Sequence, residues 1–109
     1  MAHNVDGVWE LTQSNGWGVR VDIAQLRDSN GNLADGNLHG AATEINPGGS
    51  DVAEANLNGA LVGNSFEFAV DWPNGTVGQY SGGFDAGGNL SGVTFDLAHP
   101  TSQATWFRR

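Results

Sequence analysis

"NLHG" at residues 37–40 returns as "NLNG" at 56–59 and "NLSG" at 89–92. Each copy lies near a turn-like cluster, in a run with strand character. In all three a glycine follows the leucine by two residues, and residues two apart in a strand share a face. Glycine gives a flat strand nothing to pack and weakens it. It is tolerated where a strand bends sharply or crowds another backbone, as at the corner of a closed barrel. The triple therefore points to a sheet that curls.

Outward from these copies, the chain reads as strands throughout. Helical periodicity is nearly absent, and "VDIAQLRD" alternates, with Val19, Val21 and Ile23 on one face and Arg20 and Asp22 on the other. Turn-bounded runs predict eight strands, at 7–14, 17–26, 37–45, 52–61, 65–72, 75–84, 89–96 and 103–108. The linkers are short, apart from "RDSNGNLADG" at 27–36, which is expected to hold a small irregular hairpin. Short loops join antiparallel neighbours, so the order is up-and-down. Eight such strands form a sandwich or close on themselves. The glycines favour closure, which removes both edges and leaves an interior filled by side chains or holding one small ligand. The expectation is all-β: one domain over 1–109, an eight-stranded antiparallel up-and-down barrel.

Alternation assigns the faces. Trp9, Leu11 and Gln13 point inward, as do Phe66, Phe68, Val70 and Trp72, then Tyr80 and Phe84, and finally Ala104, Trp106 and Arg108. The strand at 89–96 is ambiguous: either Val93 and Phe95 face in, or Leu90, Gly92, Thr94 and Asp96 do. If the barrel closes, the last strand pairs with the first and brings Arg108 near Trp9. A guanidinium over an indole gains about 0.5–2 kcal/mol and would plug that end. A solvated terminal arginine fits the spacing equally well.

Composition bounds the function. The chain has 109 residues, 39% of them hydrophobic, with 17 glycines, 3 prolines and no cysteine, so neither disulfides nor thiolate metal sites hold it together. Twelve acidic residues against four arginines leave a net charge of −8. With no basic face, nucleic acid and anionic membranes are not expected partners. The acidity itself speaks mainly to solubility. The start, "MAHNVDGVW", shows no basic segment followed by an apolar stretch, so no signal peptide is visible. The location stays open between cytoplasmic and secreted with the signal removed.

"GVW" opening an eight-strand pattern, with an arginine closing the last strand, resembles the calycins, the superfamily that includes the lipocalins. Within them "GVWELTQSNG", "GNLHGAATE" and "FAVDWPNGTVGQYSGGF" look most like the avidin and streptavidin family. In that family biotin is held by an asparagine and a serine on and after strand one, a tyrosine and a serine on strand three, central tryptophans and a late aspartate. Carried over by position, those places fall on Leu11 and Asn15, then on Ala42 and Glu44. Trp72 matches a family tryptophan. Thr76 and Tyr80 stand where a serine and another tryptophan are expected, and Ala104 where the aspartate is. Most of the groups that read the ureido ring are missing, and a buried unpaired Glu44 would oppose that ligand. The resemblance implies the barrel, and dimers or tetramers built on its walls, but not biotin binding.

With Trp9 and Arg108 at one end, the mouth lies where strands one, three, five and seven finish. Gln13, Asn15, Trp17, Glu44, Trp72, Thr76 and Trp106 are expected there, with Tyr80 a layer deeper. Aromatic walls with a few polar groups suit a small ligand, and a sugar packs its C–H faces on indole. The competing reading makes Trp72, Tyr80 and Trp106 plain core. The expected function is a non-catalytic binding protein for a small polar ligand or carbohydrate, with Asn15, Glu44, Trp72, Thr76, Tyr80 and Trp106 as its ligand-binding residues. No catalytic residue, metal ligand or cofactor is expected. His3 lies at the frayed start, His39 faces outward and His99 falls in a loop, without ligand spacing. Outward Val52, Val62 and Phe107 would serve a homo-oligomer.

Two other classes compete. Small calycin-like protease inhibitors insert an N-terminal segment into a target's cleft, and "MAHNVDG" precedes the first strand here. A barrel enzyme would use Glu44 or Asp96 as general base.

Overall fold

A β-carbon added to Gly40 would collide with the main-chain oxygen of Asp22, one added to Gly59 with that of Glu67, and one added to Gly92 with that of Ser81. These are the three glycines of the Leu-x-Gly copies. Each meets the carbonyl of the residue preceding its cross-strand partner: Gly40 pairs with Ile23, Gly59 with Phe68 and Gly92 with Gly82. The role is steric: the backbones approach more closely than any side chain allows.

The computed structural model describes residues 2–109. It forms eight strands: β1 (Gly7–Gln13), β2 (Gly18–Ala24), β3 (Gly36–Ile45), β4 (Asp51–Val62), β5 (Ser65–Asp71), β6 (Val77–Phe84), β7 (Leu90–Asp96) and β8 (His99–Arg108). They are antiparallel neighbours in chain order and close into a barrel through β1 and β8. That seam has a short ladder, with Leu11 opposite Arg108, Thr12 opposite Phe107 and Gln13 opposite Trp106. Main-chain bonds extend it at both ends, from Ser14 N to Thr105 O (2.8 Å) and from Arg109 N to Glu10 O (3.0 Å).

The crowded glycines lie on β2–β3, β4–β5 and β6–β7, the pairs whose hairpins lie at one end of the barrel. Leu38, Leu61, Leu90 and Phe66 fill that end, each at 2% exposure or less. Arg108 completes the closure. Its guanidinium carbon stands 5.4 Å from the Trp9 ring centroid and 5.2 Å from that of Phe84, and Nη1 donates to Asn4 O at 2.7 Å. Burial holds this guanidinium below its ordinary value. Of the two readings of Arg108, the plug is the one formed.

The segment before β1 is docked, not frayed. Val5 is fully buried, and the Trp9 indole donates to its carbonyl at 3.0 Å. Gln25, itself buried, clasps the segment from β2's end: Oε1 accepts from Val5 N (2.9 Å) and Nε2 donates to His3 O (2.8 Å). His3 stacks on Phe84 at 4.0 Å. Pairing between β2 and β3 stops at Ala24, because the main-chain N–H of Gln25 donates to Asp6 Oδ1 instead of a neighbouring strand. Residues 27–36 form the expected irregular hairpin, with one bridge between Arg27 and Leu33.

The ambiguous strand resolves toward the glycine register. Leu90 and Thr94 are buried and Val93 is exposed. His99 is not in a loop but opens β8 opposite Asp96, across an irregularity in the ladder. Trp106 is likewise placed differently from the expectation, in the middle of the core. Its ring lies against the Gly82–Gly92 pair, where no side chain competes for space, with its centroid 6.4 Å from that of Phe66. Its N–H is used on Val93 O at 2.9 Å. A ladder of rings then climbs from the closed end: Trp9 to Phe66 at 6.0 Å, Phe66 to Phe68 at 5.4 Å, and Phe68 stacked on Tyr80 at 4.5 Å. Burial of each such ring contributes about 1.5–3 kcal/mol.

Gly59→Ala is expected to cost about 1–3 kcal/mol or more, because backbone and not a flexible side chain must yield. Asn58→Ala, on the exposed outer face beside it, is expected to stay within about 0.5 kcal/mol. Urea unfolding of the two variants checks this; equal midpoints would mean the close approach is not essential.

Candidate functional site

Three of the hairpins at the other end share one turn. In 13–17, 46–50 and 72–76 the first residue's N–H reaches the fifth residue's carbonyl, and the fourth residue, a glycine, donates back to the first. These glycines have φ near +87° (Gly16 89°, Gly49 87°, Gly75 86°), which only glycine adopts without strain. The same turn closes 28–32 and 85–89 at the opposite end. In two of the mouth turns the third residue is an asparagine whose carboxamide braces the loop. Asn15 Oδ1 accepts from Trp17 N at 3.1 Å, and Asn74 Oδ1 accepts from Thr76 N (3.1 Å) and the Thr76 hydroxyl (2.6 Å). Because main-chain N–H groups only donate, the oxygens must face them, which leaves each Nδ2 as the outward donor.

Inside these turns lies a cavity of about 300 Å³. It exists because inward positions near the rim hold Gly78 and Ala104 rather than large side chains. A β-carbon on Gly78 would stand 3.1 Å from both Trp72 Nε1 and Tyr80 Cε1, so the floor is those two rings with nothing between them. Asn15, Glu44, Trp72, Thr76 and Tyr80 all line the cavity, as expected from the sequence; Trp106 does not. Trp17 stays in its turn, half-buried and outside the lining. Gln13 joins the lining, as do Asn74, Thr94, Phe95 and Asp96. Asn74 and Gly78 were missed by sequence reasoning. Asn74 was findable, since "PNG" repeats the place of Asn15 in "SNG". Gly78 signals only an absence of side chain, which acquires meaning when its neighbours are known.

The polar groups run in a fixed direction. The Tyr80 hydroxyl donates to Gln13 Oε1 at 3.2 Å, and Gln13 Nε2 donates to Asn15 Oδ1 at 3.1 Å. Tyr80 has thereby used its proton and offers lone pairs to the cavity. Burial pushes the phenol up to about 12, the Glu44 charge adds to this and the Thr94 hydroxyl opposes it. Desolvation raises the Glu44 carboxyl above its ordinary value. Trp72 is 8% exposed, and among the described residues its indole N–H makes no hydrogen bond; the N–H is not sealed in the core but opens to the cavity floor beside Gly78. Asp96 Oδ1 accepts from Ala98 N at 2.9 Å in the β7–β8 turn.

Such an array can bind: it has aromatic walls, fixed donors and acceptors, and depth. Its ionisable groups are the carboxylates of Glu44 and Asp96 and the phenol of Tyr80, and no histidine lies among the lining residues. Among the described residues no group of three or more histidines and carboxylates is placed to hold a metal ion. No family model, curated protein or solved structure matches the chain.

A carboxyl raised in the folded state holds its proton more tightly there than in the unfolded chain, so stability declines as pH climbs from the ordinary carboxylate value through the folded one. Glu44→Gln is expected to melt higher than the parent at about pH 7 and equally below about pH 4. Melting curves at both pH values check the sign. Tyr80 is the chain's only tyrosine, so alkaline absorbance titration reads it alone. A midpoint near 12 is expected, and one near the ordinary value of about 10 would mean an open phenol.

Proposed function

We propose that this barrel is a non-catalytic binding protein that holds a small polar ligand or carbohydrate at its open end. The observation that carries the reading is the floor of the mouth: an unpartnered indole N–H on a nine-tenths-buried Trp72, beside Tyr80, under a cavity of about 300 Å³. The ring is buried while its N–H opens to the cavity, so a ligand acceptor can take the place of water on a donor that the ring's packing holds in position. The size lies at the lower end of small-molecule sites. Around it stand polar groups held by their own bonds, so little ordering is needed on binding.

The avidin-like resemblance supports the same end of the barrel as the site, with different chemistry at the family's positions. Leu11 and Ala42 are buried apolar residues and Glu44 is a carboxylate, so the ligand is not read as biotin is. The inhibitor reading draws no support from residues 2–6. Pulling them into another protein's cleft would expose Val5 and unpair Gln25; Met1 lies outside the described residues. For self-association, Val52, Val62 and Phe107 are exposed by 49%, 65% and 54%. Val52 and Val62 stand at opposite ends of β4 and Phe107 on β8, and such single apolar residues are ordinary on a surface.

A glycan and metabolite screen by thermal shift tests the reading. A ligand present at about 100 times its Kd stabilises the folded state by about 2.7 kcal/mol. Gly78→Ala, which adds one methyl to the floor, is expected to weaken that ligand about tenfold or more while the unliganded protein still melts cooperatively. Undiminished binding by Gly78→Ala would place the ligand elsewhere.

A further inference from the structure

The mouth has an uneven charge inventory. Its lining holds two carboxylates, Glu44 and Asp96, and no lysine, arginine or histidine. The chain's arginines are engaged elsewhere. Arg20 pairs with Asp51 at 3.3 Å on the outer wall and Arg27 with Asp6 at 3.4 Å. Arg108 lies between Trp9 and Phe84 at the closed end, and Arg109 follows it beside Glu10. Glu44 ends an inward row on β3, after Ala42, and accepts no hydrogen bond from the described residues. Asp96 sits on β7, four strands away around an eight-strand ring, so the two carboxylates face the mouth from opposite sides.

A neutral ligand covering Glu44 would strip water from a carboxylate without returning a charge, which is costly. An anion would meet both carboxylates. A cation would supply the missing partner through a charge-assisted hydrogen bond. The Trp72 N–H opens to the same cavity and can donate to an acceptor oxygen of the same ligand.

Resting on the binding reading above, we infer that the ligand is a small nitrogenous cation, an ammonium or guanidinium compound with a neighbouring hydroxyl or carbonyl, its charge on Glu44 and its oxygen on the Trp72 indole. Amino sugars and simple amino alcohols both carry this chemistry.

Matched pairs that differ in charge alone test it. Glucosamine is compared with N-acetylglucosamine and ethanolamine with N-acetylethanolamine, each titrated while the Trp72 indole N–H resonance is followed; that resonance is identified by its loss in Trp72→Phe. In at least one pair the cation is expected to bind about tenfold tighter or more, and the preferred pair distinguishes sugar from amino alcohol. Glu44→Gln is expected to bring the ratio within that pair close to one, and Asp96→Asn to reduce it. If the neutral members shift the Trp72 resonance with equal or higher affinity, the charge inference is overturned and the binding reading stands. If no compound of either charge moves it, and the wider screen finds none that does, both fall.

Discussion

An inward glycine against a neighbouring carbonyl sets the shape of this molecule. On an open sheet the inner positions carry side chains, and strands stay about 4.8 Å apart with room for a β-carbon. Here Gly40, Gly59 and Gly92 each lie where that carbon would enter the adjacent backbone. All three sit on the strand pairs whose hairpins lie at the closed end. The fourth strand pair at the closed end, β8 with β1, has no such glycine, and Arg108 with the docked segment before β1 fills the corner instead. Apolar packing, the cation over Trp9 and Phe84, and the Gln25 clasp complete the closed end.

The mouth is the complement of the closed end. Gly78 and Ala104 leave volume there that the leucines take up below, and Tyr80 and Trp72 cap the ring ladder as a floor. The turns hold this opening with side chains that spend one end on the backbone and leave the other outward, as Asn15 and Asn74 do. Ionisation of Glu44 and Tyr80 is held back because these polar groups stand over an apolar stack without water on every side.

Much of this was legible beforehand. Period-two alternation in "SFEFAVDW" gave the burial of Phe66, Phe68, Val70 and Trp72 correctly. Five expected ligand residues line one cavity, Glu44, Trp72 and Tyr80 because alternation turns them inward and Asn15 and Thr76 because the turns that carry them rim the same end. Trp106 shows where the method stops. Its inward facing was right, but its depth depends on the stagger between β8 and β1 and on the glycine pair of β6 and β7 beneath it. Alternation reports a side, not a height. Gln25 was equally hidden, since nothing local marks a glutamine that serves a segment twenty residues away.

By itself the sequence determined the eight strands, the inward faces of all but β7 and the up-and-down order, and it favoured closure over a sandwich, because these depend on residue periodicity, turn chemistry and the placing of glycine, all local along the chain. Only the tertiary structure decided which register β7 adopts, that the first residues fold over the closed end, and which tryptophan floors the mouth while another is lost in the core. Those outcomes turn on volumes and hydrogen bonds shared between strands far apart in sequence, where one backbone's missing side chain is another ring's space.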